Sequence, residues 1–568
     1  MEGSARRIKA SLVLIPLLAA CAIAPAQSSG LAWPLMHSML HGASIPGGGS
    51  LALDPLLSPA TCARGGRVAF VSRIASAMQD QGMFIVDERG LRAIVRSSGP
   101  GGGSGVRRMG GDATPIGGTF AGLFEGTAFA PPISDRGDVL FLADVDGGRS
   151  TRGLFCAETT TGLLRVVVAV GDAAPGGGAF ASVGPGAHLP DGGVLFIARR
   201  SGLGSAELFA RKGSAIEAFA RLGDPLPDGG HIVALATESL SFVDGTSIPI
   251  GPMPSTTACG DVAFCARGSG GSNANGINAN GIIVRSDGID AWWAQTGESF
   301  VMGSAFVAFG APVLVRTGEG QLLCAFYADY ASTNGPTAAW FVGERGAWRR
   351  ALGFFDAVDG GQCLGLAISR GPMTPLDSNG DLVVWCDLAI QGGEDRIVRC
   401  RADGSHEVLL AHGEPAPGGG VIAELGGWPS FDGAGKCIVA ARGTGGAVAR
   451  AHLVLGDPRL RLSADPCAQP GSMLQAVVHA LEPGSMVLAA SPVRTSLWIE
   501  PMGLLEIGPE PLWLLSGWEL FEMPWGCRRA NALPDDPQLE GAWLHLQALA
   551  FLPARTQLTP AVSAWIRQ

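Results

Sequence analysis

The stretch with the most obvious chemistry is Asp377-Ser378-Asn379-Gly380-Asp381, whose alternating oxygens begin like a calcium loop. The acidic residue that should complete such a loop is missing, and the stretch sits on the turn before an apolar strand, so it reads as a structural turn. A second candidate, GDAAPGGG from Gly171, is glycine-rich like a phosphate loop. No Lys followed by Ser or Thr comes after its glycines, and no helical pattern stands behind them, which argues against a nucleotide. HExxH, GxSxG and CxxC at metal spacing are all absent, and the nine His are scattered along the chain. Arg136-Gly137-Asp138 spells an adhesion tripeptide, but sister segments hold DGG and CGD at the same turn. No catalytic, cofactor-binding or metal residue is therefore assigned, and no cofactor is expected.

Cysteine offers more. The twelve Cys suit an oxidising compartment without the dense spacing of a disulfide scaffold. Cys259, Cys265, Cys324 and Cys437 take positions held by small or apolar residues in sister segments and read as buried small hydrophobes. Cys386 and Cys400 fall on neighbouring strands and are one possible bridge; Cys467 and Cys527, the two in the tail, are another.

The elements that carry these residues repeat. GDAAPGGGAF from Gly171 returns as GDATPIGGTF from Gly111, GDPLPDGG from Gly223, GEPAPGGG from Gly413 and GASIPGGG from Gly42, with weaker copies from Gly297 and Gly353. A Gly-led apolar run follows each copy, at Gly66, Gly137, Gly192, Gly260, Gly320, Gly380 and Gly435. The gaps between the two phrases are 24, 26, 21, 37, 23, 27 and 22 residues, so the fourth repeat carries the insertion. Such periodicity marks a propeller, solenoid or array.

Within a repeat the runs are short, β-branched or aromatic, and fenced by Gly, Pro and Asp, which gives about four strands and no helix. Val139, Phe141 and Ala143 alternate with Leu140 and Leu142, so both faces of that strand are apolar and both must be covered. Stacked sheets in a ring supply the cover. The expected fold is all-β: a seven-bladed β-propeller over residues 31–456, followed by a small β-sandwich-like domain over 457–568. The G-D-x-x-P-G-G-G phrase serves as the crossing between blades, with its Asp in an Asx-type turn, Pro fixing φ and Gly taking positive φ. The last repeat lacks one strand, and WPLMHSMLHG from Trp33 to Gly42 supplies it, predicting that Trp33–His41 pairs with Ala451–Leu455 and closes the ring.

Residues 1–30 read as an export signal: Arg6, Arg7 and Lys9 precede an apolar run and small residues. Leu18-Ala19-Ala20-Cys21 resembles a lipobox that would lipidate Cys21, while Ala24-Pro25-Ala26 would serve ordinary signal peptidase; the first is preferred because Cys stands where it must. Nothing later approaches a membrane span, so contact with the membrane is expected only through that lipid. The net charge of −10 argues against nucleic acid held by phosphate contacts. A mean hydropathy of +0.27 excludes general disorder. Residues 97–110, 236–256 and 268–281 break the rhythm and are candidate binding loops or neutral insertions. Six of thirteen Trp lie in the tail, where core packing is the better reading and sugar stacking the sharper one.

The paired phrases, with Ala69-Phe70 and Ala263-Phe264 ending their strands, resemble the exported bacterial tandem repeats named for an NxxGxxAF signature, over residues 33–456. The Asn itself is replaced, by Ala63, Ser134, Leu189, Thr257, Thr317, Asp377 and Asp432. LPDDPQLEGAWLHLQALAF in the tail is similar to C-terminal β modules on exported proteins of planctomycete-like bacteria. The resemblance implies an exported protein, lipid-anchored at the cell envelope or secreted, with no catalytic residues to carry over. The expected function is a non-enzymatic module that binds an unknown protein or glycan through inserted loops. One alternative is a polysaccharide hydrolase or lyase, which three or more acidic or His groups around the axis would favour; the other is a purely structural envelope protein.

Overall fold

Seven antiparallel sheets succeed one another along the repeats, and each takes its strands almost entirely from one repeat. The computed structural model describes residues 35–566 less a set of short segments, the longer being 54–58, 76–80, 99–110, 125–129, 242–246, 270–279, 368–374, 445–449, 508–512, 522–526 and 534–538. The leader, with Cys21 and both cleavage sites, lies outside the described residues. The chain divides into two compact units, one of Ala32–Thr317 with Gln321–Gly456 and one that includes Asp457–Gln568.

Sheet 2 shows the plan. Its strands are Thr119–Leu123, Val139–Asp146, Arg152–Glu158 and Leu163–Ala169, paired in chain order. Val139 to Ala143 are all buried, so neighbours cover both faces of the second strand. Phe141 of the second strand stacks on its cross-strand partner Phe155, centroids 5.7 Å apart and planes at 24°. The pair recurs as Phe70 on Phe84 in sheet 1, Phe196 on Phe209 in sheet 3 and Phe326 on Phe341 in sheet 5, at 5.6–5.8 Å and 22–26°. One rung therefore does the same packing work in four sheets.

Apolar clusters join sheet 1 to 2, 2 to 3, 3 to 4, 4 to 5, 5 to 6 and 6 to 7. Sheet 7 meets sheet 1 through Phe70 against His452, centroids 5.3 Å apart, and through Cys62 N donating to Ser430 Oγ at 3.1 Å. The packing order is thus cyclic. Sheet 7 combines Val421–Leu425, Lys436–Thr444 and Arg450–Gly456 with Leu35–Leu40 from before the first repeat. Leu35 pairs with Leu455 and Leu40 with Ala451, the antiparallel pairing expected from the missing strand.

The crossing phrase works differently from the Asx turn expected of it. Asp172 Oδ2 accepts from Ala169 N, three residues back, at 2.9 Å. Asp224, Glu298 and Asp356 repeat the contact with Arg221, Gln295 and Gly353 at 2.7–3.0 Å. The carboxylate thus holds the end of the outgoing strand, where a donor would otherwise lose its ladder partner. Asp112 makes the same bond to Arg96 N at 2.8 Å across the inserted residues, so the insertion leaves the crossing intact. Gly176 and Gly177 have φ of +84° and +99°, which a residue with a Cβ resists.

Before the second strand of five of the sheets a tight turn is held by a side-chain oxygen acceptor. Ser134 Oγ, Thr257 Oγ1, Thr317 Oγ1, Asp377 Oδ1 and Asp432 Oδ1 each accept the backbone N four residues on, at 2.8–3.2 Å. The insertion at 236–256 contains a hairpin of Glu238–Ser241 and Ser247–Gly251, which packs against Phe180–His188 of sheet 3. Segments 99–110 and 270–279 of the other two insertions lie outside the described residues.

In the second unit Arg461–Ala464, Met473–His479 and Cys527–Ala532 form one sheet, and Gly484–Ser491, Trp543–Leu552 and Val562–Ile566 lie in another. Leu474, Val478, Leu488, Leu546 and Ile566 share one core. Trp543 and Trp565 pair across strands, half-buried, with centroids 4.9 Å apart. Among the described residues no helix is long and apolar enough to cross a membrane.

Candidate functional site

Where sheets 5, 6 and 7 meet, the repeat plan is broken by three tryptophans. At the rung that stacks Phe on Phe elsewhere, sheet 6 carries Val384 opposite Val398. One residue on, where sister strands hold Val71, Leu142, Ile197, Cys265 and Ala440 and sheet 5 holds Tyr327, sheet 6 has Trp385. Trp428 stands where the corresponding segments of repeats 2 and 4 have Ala130 and Met253. Trp340 replaces the aliphatics Met83, Leu154, Leu208, Ile282 and Ile397. Smaller residues at the rung and larger ones around it leave a shallow cavity open to solvent, with an enclosed volume of about 20 Å³. Trp340, Trp385, Trp428, Pro375, Pro429 and Val384 wall it.

The walls are fixed by ordinary contacts. Trp340 is 3% exposed, and its Nε1 donates to Ala367 O at 3.1 Å. Trp385 and Trp428 are half-buried, so the cavity opens between them. The buried Trp385 Nε1 has no hydrogen-bond partner among the described residues, leaving one N–H donor in an apolar wall.

Two carboxylates stand beside this wall. Asp387 lies two residues beyond Trp385 on the same face of its strand, and Asp395 is its cross-strand partner. A Cβ at Gly365 would meet both Asp387 Cβ at 3.1 Å and the Trp385 ring at 3.6 Å, so ring and carboxylate flank one strand end. Asp395 Oδ2 accepts Leu425 N at 3.1 Å. Burial, then the charges of Asp387 and Glu424, push the Asp395 carboxyl above its usual range. Glu424 itself is ion-paired with Arg442. Three carboxylates thus gather at sheets 6 and 7.

The residues singled out from sequence fall elsewhere. Asp377 and Asp381 bracket a turn filled by a protein cation: Asp381 Oδ2 is bonded by the fully buried Arg399, whose Nη2 is 3.7 Å from Asp377 Oδ2. Among the described residues no His, Cys, Asp and Glu group is arranged for a metal. Cys386 and Cys400 are free thiols, contrary to the bridge expected between them. The ladder pairs Cys386 with Arg396 and Cys400 with Leu382, four rungs apart, or roughly 13 Å of strand. That exceeds the ~7 Å limit between bridged Cα atoms. Cys265, Cys324 and Cys437 are free and buried, as small hydrophobes would be, but Cys259 is disulfide-bonded and sits in a turn. Cys467 is disulfide-bonded too; the Cys527 side chain lies outside the described residues. Trp is densest in the tail, so composition does not point to this cavity. Its sequence signal is aromatic residues at repeat offsets that mostly hold aliphatic or small ones.

Comparison with known proteins adds a family and little else. No curated protein matches the chain. A post-proline cleaving enzyme from Rickettsia typhi aligns at a TM-score of 0.32 and 8% identity, covering 68% of this chain and 49% of that one. Prolyl oligopeptidase B from Galerina marginata aligns at 0.29 and 10%, covering 74% and 55%. The GH74 xyloglucanase from Xanthomonas campestris aligns at 0.17 and 10%, covering 73% and 63%. The chain spans about half to under two thirds of these proteins, at similarities too low to carry function. The model of one family matches residues 38–277 and again 133–453, overlapping as a repetitive chain allows. Together these stretches take in most of the sequence: the chain belongs to DUF7453, a family of unknown function.

Proposed function

We propose that this chain is an exported, non-enzymatic, seven-bladed propeller with a small C-terminal β-sandwich, which binds glycan through the cavity walled by Trp340, Trp385 and Trp428. The cavity is the observation that carries the reading. A sugar ring presents an apolar C–H face and a rim of hydroxyls. Indole walls suit the face, and Asp387 and Asp395 can accept from hydroxyls. The export signal and lipidation at Cys21 would hold this site at the cell envelope, and the turn acceptors Ser134, Thr257 and Asp377 do what Asn would do in an NxxGxxAF repeat. A glycan array read by tryptophan fluorescence on the mature chain tests it. Binding lost in Trp385→Leu and Trp428→Met supports it, whereas binding unaffected by both, or no binding to any glycan, overturns it.

A second reading, hydrolysis of the same polymer, is favoured by one observation: Asp387 and Asp395 face each other across strands, and burial raises the Asp395 carboxyl above its usual range. A pair of carboxyl groups is what glycoside cleavage needs. New reducing ends that vanish in Asp387→Asn and Asp395→Asn would establish it.

A further inference from the structure

Sheet 6 also holds a thiol pair. Cys363, on the inner strand Gly361–Leu366, pairs with Leu388, and Cys386, on Leu382–Leu388, pairs with Leu366. The ladder slips by one residue between Cys363 and Gly365. The two Cys thus lie diagonally across adjacent strands, side by side at a bulge rather than four rungs apart. Their thiols are hydrogen-bonded to each other, both side chains are fully buried, and both belong to the apolar cluster between sheets 5 and 6. Cys363 Sγ also lies 3.4 Å from Gly365 O.

We propose that Cys363 and Cys386 are a redox pair that closes to a disulfide in the presence of a low-molecular-weight disulfide, stitching the inner strand of sheet 6 to the strand that carries Trp385. The hydrogen bond from Cys386 holds the Cys363 thiol below its ordinary range, against burial, while the same bond and burial push Cys386 up. Cys363 is therefore the attacking thiolate. It displaces one thiolate from the small disulfide to form a mixed disulfide. Cys386 then gives up its proton and attacks the Cys363 sulfur, expelling the second thiolate. Two protein thiols become one cystine, and the small disulfide is reduced to two thiols. Burial confines the exchange to folding, or to openings of the strand pair.

The test refolds the full chain with glutathione disulfide, unfolds it, alkylates free thiols and maps the peptides by mass. Expected are a linked Cys363–Cys386 peptide, two mass units below the sum of its parts, and an alkylated Cys400. Melting should rise by several degrees relative to the same protein reduced. Cys386→Ser should trap glutathione on Cys363 at least tenfold faster than Cys363→Ser traps it on Cys386. Alkylation of both Cys363 and Cys386 in the oxidised chain, or a peptide linking either to Cys400, overturns the proposal. If the serine variants do not fold, the wild-type peptide map still decides.

Discussion

In sheet 2 the second and third strands are fastened by Phe141 lying on Phe155, and the rung is sealed. In sheet 6 the same rung carries Val384 and Val398, and the volume given up reappears as a cavity lined by tryptophan. What fastens sheet 6 instead is charge: the buried Arg399 reaches Asp381 and Asp377, while Asp138 at the equivalent turn of sheet 2 has no buried Arg and is pushed up by burial and by Glu158. One strand plan therefore tolerates two fastenings: an aromatic rung that is closed, and an aliphatic rung beside a buried ion pair that leaves room for something else. A repeat protein can acquire a site in this way, by loosening one copy while its neighbours keep the frame.

The sharpest break of this contrast is to empty the aromatic rung. Phe155→Ala should cost about 3–5 kcal/mol in denaturant unfolding, whereas Val398→Ala in sheet 6 should cost clearly less. Equal losses would mean that the rungs are equivalent. In sheet 6 the comparable blow is Arg399→Met, which strands Asp377 and Asp381 and should cost about 3–5 kcal/mol. Adding Asp377→Asn and Asp381→Asn should recover most of it.

Acid sharpens the contrast at the joint between sheets 7 and 1. His452 is fully buried, its two ring nitrogens have no hydrogen-bond partner among the described residues, and burial lowers its pKa to about 3. His188, also lowered by burial, sits at about 4. Both are neutral when folded and charge on unfolding. Their contribution is fully present above about pH 6.5 and is lost as pH falls toward 4 and then 3. The loss at pH 5 should be about 2 kcal/mol per His. His452→Phe should remove one share of it, read as a smaller drop in urea midpoint between pH 7 and pH 5.

The mildest change for the frame is the most telling for the site. Trp385→Leu, the residue of sheet 2, should leave the melting temperature nearly unchanged and weaken glycan binding roughly tenfold or more. Restoring the rung with Val384→Phe and Val398→Phe should fill the cavity and block binding while sheets 1 to 3 stay as they are.

Strand content, turn positions and the pairing of Leu35–Leu40 with Arg450–Gly456 were legible because each rests on local rules: apolar alternation, Gly and Pro punctuation, one strand missing from a count. The crossing Asp was recognised as a turn residue, but its partner was not, because reaching back to Ala169 depends on where the previous strand stops. Likewise Cys386 and Cys400 could be placed on neighbouring strands but not in register, and register decides whether two sulfurs can meet. The cavity was hidden for a further reason. It arises from what Val384 lacks relative to Phe141, and an absence shows only when copies are laid over one another at the right offset.

Sheet 7 draws one strand from residues 35–40 and its partner from residues 450–456. A growing chain must therefore carry an unmated first strand through more than four hundred residues of synthesis before its own complement arrives. During that wait, the corresponding strand of another nascent copy is just as good a mate. Crowding during production should thus yield interlocked multimers that dissociate only on unfolding, and supplying the missing strand as a short peptide should suppress them.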